Sequence, residues 1–537
     1  MSPSIRTPVV VIMAFGLLGP AGGLSAADSG TQAPVAAMVD TPPPATYAWR
    51  IPPGQIAKAV AGIDQIVHRA MDQTGVPGAA VAVVHGDAVV YAQGFGVRDL
   101  GTGEPVDADT VFQLASVSKP LGATVIARAV HQGTVAWDDP IVKHLPGFAL
   151  SDPYVTRHLT VEDLYAHRSG LPDHAGDRLE DLGYGRAEVL ERLRLVPLEP
   201  FRAVYDYTNF GITAAAEAVA TAAGGDWATL SERLLYQALG MGSTSSRFAD
   251  YAAAPNRAVT HVREGERWLA KYVRQADAQS PAGGASSSVN DMALWLRLLL
   301  ADGRFNGEEL LSVPEVLDVR TPRMISGPLA SPEARASSYA LGTGVSVDET
   351  GRVRLSHSGG FALGAATVIV LVPAEHLGIV VLTNGMPIGV PEAIAAEFLD
   401  LAETGTVNRD WLAAYGQRFA GFYAFETKLG AEPPAHPAAP RSADAYTGTY
   451  ASAYYGPAEI AAEGEGLVMR LGPGRIEFPL GHWDGDTFAY ETRGENASGR
   501  QGVTFRADGD GLVLSFTVED LDREADGKGS LGVFTRL

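Results

Sequence analysis

The chain has 537 residues, enough for two or three domains at roughly 100–200 residues each. Acidic residues outnumber basic ones 62 to 41, and a net charge of −21 repels a phosphate backbone, which argues against nucleic acid as a partner. The absence of cysteine excludes disulfides, lipid attachment at cysteine and thiol chemistry.

The N-terminus carries one arginine, an apolar run from Val9 to Leu18, and small residues ending at Ser25-Ala26-Ala27. That run is shorter than the about 20 residues needed to span a bilayer. It predicts a secretory signal, residues 1–27, removed to leave a periplasmic or secreted protein with no later transmembrane segment. Residues 28–53, rich in Pro and Ala, read as a linker.

The first folded element is a helix in which Ile56, Val60, Ile63, Val67 and Ala70 share one face and Gly75 supplies the stop. Two β-rich runs follow with Gly86-Asp87 between them, a hairpin signal. The next stretch, "QLASVSKPLGATVIARAVHQG", predicts a helix with Val117, Leu121, Val125 and Ala129 on one face and Gly133 at its end. Pro120 lacks an N–H, so the first turn of that helix has to be irregular. Residues 160–310 read as helices punctuated by Gly and Pro, and β-branched runs then return up to "GIVVLTNG" before a helix over "PEAIAAEFLDLAETG". The economical arrangement is one sheet built from N- and C-terminal strands with a helical block inserted between them. It brings residues near 116, 207 and 357 together. A helical stretch at about 408–427 and a Pro-rich linker at 430–443 precede residues 444–537, whose roughly eight short strands predict a small antiparallel barrel or sandwich.

The chain has only six lysines, and Ser116–Lys119 is the one Ser-x-x-Lys. A serine hydroxyl needs a base to take its proton, and a lysine serves if burial or charge lowers its pKa. A spacing of three near a helix start places both side chains on one side, next to backbone N–H groups that suit an oxyanion. Read alone, the pair is equally a capping serine beside a solvated lysine. Tyr207 and Asn209 read alone are a core tyrosine and a helix cap, and His357 a strand-end histidine. His167, His174 and Asp177 lack any standard metal spacing, and "HRSGLPDHAGD" reads as a turn and loop near the site.

In order, "FQLASVSKPL", "YDYTNFGITAAAEAVA", "PAGGASSSVNDMALWL" and "RLSHSGGFALG" resemble the serine β-lactamase and penicillin-binding-protein superfamily, nearest its class C-like branch of D-aminopeptidases and carboxylesterases. The resemblance implies an α+β fold: an α/β sandwich with an antiparallel sheet flanked by helices over 54–429, followed by a lipocalin-like β-barrel over 444–537. It implies Ser116 as the acylated nucleophile, with Lys119 and Tyr207 in proton transfer, the phenol lying near two cations. Asn209 would position the substrate carbonyl. His357 and Gly359 would occupy the place of the family's Lys-Thr-Gly, and the backbone N–H groups of Ser116 and Gly360 would form the oxyanion hole. His at 357 in place of Lys makes the charge that grips a substrate carboxylate depend on pH, with an inflection expected near 6.5, and argues against a dedicated β-lactamase. No catalytic cluster is expected in the barrel.

The resulting expectation is an exported serine hydrolase of amides. Its substrates would be peptides, including those with D- or unusual residues such as linearised microcystins; small esters or lactams, or acylation without turnover as in a sensor, are the alternatives. No cofactor and no metal is expected. The partner is a small peptide or ester substrate, and association through the C-terminal domain is left open.

Overall fold

The computed structural model describes residues 50–424, 427–464 and 466–537, so the signal segment and most of the first linker lie outside the described residues. The first helical stretch is two helices, α1 (Gln55–Ala61) and α2 (Ile63–Thr74). The break falls at Gly62, whose N–H reaches back to Ala59 O at 3.0 Å, because glycine holds a helix interior poorly. Gly75 closes α2 with φ 69°, as its position predicts.

Eight antiparallel strands form the main sheet: β1 (Gly78–His85), β2 (Ala88–Gly96), β3 (Met324–Gly327), β4 (Ser337–Tyr339), β5 (Gly344–Val347), β6 (Val353–Phe361), β7 (Ala365–Val372) and β8 (Leu377–Thr383), in the order β2-β1-β8-β7-β6-β5-β4-β3. The N-terminal hairpin thus completes a sheet made mostly of C-terminal strands. Along β1, Ala80, Ala82 and Val84 enter one core while Ala79, Val81 and Val83 enter another, the period of two expected when both faces of a sheet are covered. The second core is closed by α1, α2 and the late helix Val390–Glu403. The first holds the inserted helical block, including α3 (Ser118–His131), α4 (Asn209–Ala222) and α5 (Val289–Leu300).

The irregular start demanded by Pro120 is present: a 3₁₀ turn over Ala115–Val117 leads into α3, and Ala115 sits at φ 46°, a conformation costly for a residue with a Cβ. That strain is held by its surroundings. Ser118 Oγ donates to Ala115 O at 2.7 Å and accepts from Ala285 N at 3.0 Å, and Thr367 Oγ1 on β7 donates to Leu114 O at 2.7 Å. The turn is clamped between the sheet and the helical block.

After a helix at Trp411–Phe422, eight strands from Gly448–Ser452 to Val533–Arg536 close into an antiparallel barrel, each strand paired with its sequence neighbour. Aromatic side chains fill its interior, among them Tyr450, Phe488, Phe505, Phe516 and Phe534, with Phe516 and Phe534 stacked at 4.9 Å. The barrel packs onto the helical block: Tyr184 Oη donates to Tyr455 O at 2.7 Å and Arg192 Nη1 to Tyr454 O at 2.7 Å.

Gly359 on β6 carries a packing constraint. A Cβ there would lie 2.2 Å from Leu114 O and 3.0 Å from Ser116 N. Gly359→Ala is therefore expected to push the nucleophile turn off the sheet and cost about 1–3 kcal/mol, read as a lower urea midpoint with loss of activity at the Ser116 site.

Candidate active site

Ser116 opens onto a cleft of about 760 Å³ between the sheet edge, the helical block and the barrel. Two of the residues expected beside it are there. Lys119 Nζ lies 3.1 Å from Ser116 Oγ, and Tyr207 Oη donates to the same oxygen at 2.8 Å. The amine also sits 4.4 Å above the centre of the Tyr207 ring.

Lys119 has no exposed surface, and burial pulls its pKa down to about 7 against the opposing pull of Asp177. Its other contacts explain how a neutral amine is aimed. Nζ donates to Asn209 Oδ1 at 2.7 Å and to Ala282 O at 3.0 Å, so the third position, a lone pair in the neutral form, faces Ser116. Asn209 is held in turn by Asp177, whose Oδ2 accepts from Asn209 Nδ2 at 2.8 Å. The amide of Asn209 is thus engaged first in orienting Lys119, where the family resemblance implied a substrate carbonyl.

The segment carrying Tyr207 is pinned by the loop before it. Tyr207 N donates to Asp173 Oδ1 at 3.0 Å, His174 N to Tyr207 O at 2.8 Å, and Thr208 N to His167 Nδ1 at 3.1 Å. Burial raises the phenol's pKa, with Asp177 and Asp173 adding to it and outweighing the hydrogen bond to Ser116. Tyr207 is therefore a protonated donor and relay rather than a phenolate. Beside it lie the Lys119 amine and the His174 ring, whose centre is 5.6 Å from that of Tyr207.

His357, in the place of the family's Lys, supplies no charge. It is buried, its Nδ1–H donates to Ser358 O at 2.7 Å, and its Nε2 lies 2.9 Å from Tyr339 Oη, contacts that a neutral ring protonated at Nδ1 satisfies. Burial and the nearby Lys119 push its pKa down to about 3. The expected pH-dependent grip on a carboxylate, with its inflection near 6.5, is overturned: this side chain is buried between Tyr339 and Tyr207 and does not line the cleft. Gly359 likewise acts by permitting close packing rather than by touching substrate. Gly360 does line the cleft beside Ser116, where its N–H belongs if it is to serve an oxyanion.

The sequence missed the carboxylates around this centre. Asp177, reasoned about only as a metal ligand or loop residue, accepts from both Asn209 and His174 Nδ1, the latter at 2.7 Å. Burial disfavours the charged His174, yet Asp173 and Asp177 raise its pKa to about 9. The barrel, whose sequence offers no catalytic cluster, contributes Glu495, Asn496, Asp520, Glu524 and Asp526 to the cleft wall.

A model of the beta-lactamase family matches residues 63–404, more than half of the chain. The chain belongs to the beta-lactamase family. A second model, described as a domain of unknown function (DUF3471), matches residues 432–530 of this family member. It is 26% identical over 359 residues to the unguisins hydrolase ungD of Aspergillus violaceofuscus, and the match spans 59% of this chain and 60% of that relative's length. It is 22% identical over 331 residues to the D-alanyl-D-alanine-carboxypeptidase/endopeptidase AmpH of Escherichia coli strain K12, covering 61% of this chain and 84% of that one. Among solved structures, that of SurE aligns with a TM-score of 0.53 at 22% identity, over 90% of this chain and 100% of the other. The class C beta lactamase from Rhodobacter sphaeroides aligns with a TM-score of 0.51 at 23% identity, over 64% and 98%. Identities this low establish a shared fold.

The neutral amine of Lys119 is the competent base, so acylation by p-nitrophenyl acetate is expected to rise with pH and reach half its plateau near pH 7. Asp177→Asn removes a charge that favours the ammonium, so the inflection moves to lower pH. His357→Gln leaves it in place. An inflection that instead vanished in His357→Gln would reassign the titration to the imidazole.

Proposed function

We propose that this protein is an exported serine hydrolase that cleaves a peptide amide through an acyl-enzyme. The observation carrying this reading is Ser116 Oγ held at 3.1 Å from a buried amine and at 2.8 Å from a protonated phenol on the floor of an open cleft.

In this mechanism the Ser116 proton passes to Lys119 Nζ as Oγ bonds to the substrate carbonyl carbon. The backbone N–H groups of Ser116 and Gly360 receive the developing oxyanion. Tyr207 gives its proton to the leaving nitrogen and regains one from Lys119, which returns to the neutral form. Water then attacks the ester, its proton leaves through Tyr207 and Lys119, and Ser116 recovers its own. No separate acidic base is needed, since the phenol and the amine form one relay.

The cleft supports a peptide over a small ester. Its volume of about 760 Å³ holds several residues, and Asp173, Glu199, Asp206 and Asp526 surround one approach to it. Burial, with the like charges of Asp173, Glu199 and Asp526 adding to it against the pull of Lys528, raises the Asp206 pKa to about 7. Such a rim suits neutral or cationic peptide groups. Among the described residues no helix is long and apolar enough to cross a membrane, and export rests on the N-terminal segment alone.

Purified protein offered D- and L-aminoacyl p-nitroanilides beside a p-nitrophenyl ester is expected to turn over an anilide at steady state. Ser116→Ala should lose about a thousandfold or more. A single stoichiometric burst without steady turnover would instead indicate a protein that is acylated once, and turnover untouched by Ser116→Ala would end the assignment.

A further inference from the structure

One carboxyl group in the cleft wall has no part in the proposed chemistry. The barrel strands Thr487–Glu491 and Arg500–Ala507 are joined by a loop, 492–499, that is firmly seated on the catalytic domain. Asp181 accepts from Glu495 N at 2.9 Å, from Asn496 N at 2.9 Å and from Asn496 Nδ2 at 2.8 Å. Gly494, at φ 100°, lies so close that a Cβ would come within 2.4 Å of Asp181 Oδ1.

This seat delivers the Glu495 side chain, 13% exposed, to the end of β6. Its Oε1 accepts from Ala362 N at 2.6 Å and its Oε2 from Leu363 N at 3.4 Å, with Arg274 Nε 3.9 Å from Oε2. Two consecutive backbone N–H groups beside a guanidinium are a recognition site for a carboxylate. Ala362 lies two residues past Gly360, about 7 Å along the chain from the oxyanion position. A substrate carboxylate one or two residues from the scissile bond would reach the same donors.

We propose that Glu495 is a specificity-determining residue: it fills a carboxylate site beside the nucleophile, so that the cleft rejects substrates bearing a terminal carboxylate there and admits esters, amides and internal peptide bonds. The inference rests on the acyl-enzyme reading for its functional consequence, while the filled carboxyl site stands on the contacts themselves. Burial pushes the Glu495 pKa up to about 8 against the pull of Arg274, consistent with a dry site whose donors would need another acceptor if the side chain were removed. His357, neutral and buried with its ring nitrogens engaged by Tyr339 and Ser358, offers no second grip for such a carboxylate.

The test uses the full chain and a matched pair of thioesters, one with a 3-mercaptopropionate leaving group and the other its methyl ester. A second pair carries the charge on the acyl side, N-succinyl against N-acetyl. Wild type is expected to favour the uncharged member of each pair. Glu495→Ala should shift the acid-to-neutral ratio of kcat/KM by about tenfold or more in at least one pair, through KM of the acid. Glu495→Gln keeps an acceptor on Ala362 N and should stay near wild type, and Glu495→Ser repeats the truncation should the alanine variant fold poorly. Binding is read without turnover by titrating the acid thioester into Ser116→Ala with and without Glu495→Ala, where the second variant should bind about tenfold tighter. An unchanged ratio and unchanged binding on truncation, or an equal shift in Glu495→Gln, overturns the inference. Absence of turnover of the neutral thioesters by wild type, with tighter binding on truncation, would instead count against the hydrolase reading alone.

Discussion

An ammonium taken out of water is unfavourable, and the catalytic domain is arranged around one. Lys119 has no exposed surface, and its surroundings answer the cost of burial by lowering its pKa rather than by a direct salt bridge. Asp177 stands one step away, holding Asn209, which holds the amine. A carboxylate in direct contact would keep the lysine charged and useless as a base. Placed behind an amide, it steadies the geometry and tempers the shift. The strained Ala115, the close approach of Gly359 and the bond from Thr367 to Leu114 O all serve to put Ser116 where this amine points.

The same electrostatics sets the protonation of two groups near the amine. His357 and Tyr207 lie near Lys119, and both remain neutral, but for opposite reasons. An imidazole loses its proton when it is buried beside an amine, while a buried phenol near carboxylates keeps its own. Only the phenol then has a proton to give to a leaving group at neutral pH. His167, its ring tilted against that of Tyr207 at 4.5 Å and accepting from Thr208 N, supports that phenol from behind.

The barrel belongs to the cleft as much as to itself. Glu524 accepts from Gly176 N at 2.8 Å and from two barrel tyrosines, Tyr454 and Tyr455, joining the barrel to the loop that carries His174 and Asp177. Arg178 and Asp520 pair across the same junction, as do Lys528 and Glu199. Its interior is filled with aromatic rings, which leaves its rim and loops as the surfaces through which it shapes the site.

The sequence by itself determined the N-terminal hairpin at Gly86, the main-sheet strands from about residue 344 to 383, the irregular turn forced by Pro120 and the eight-stranded C-terminal unit, since each depends on local periodicity and on the conformations open to Gly and Pro, whereas the outer strands Met324–Gly327 and Ser337–Tyr339 appeared only in the fold. It also marked Ser116, Lys119 and Tyr207, whose spacing and order are written in the chain. The tertiary structure decided the protonation states and the makeup of the cleft. Whether His357 is charged depends on which face of β6 it occupies and on how deeply that face is buried. Whether Asp177 or Glu495 matters depends on contacts across 32 and 133 positions of chain. Desolvation and charge are sums over neighbours in space, and a linear pattern does not carry that sum.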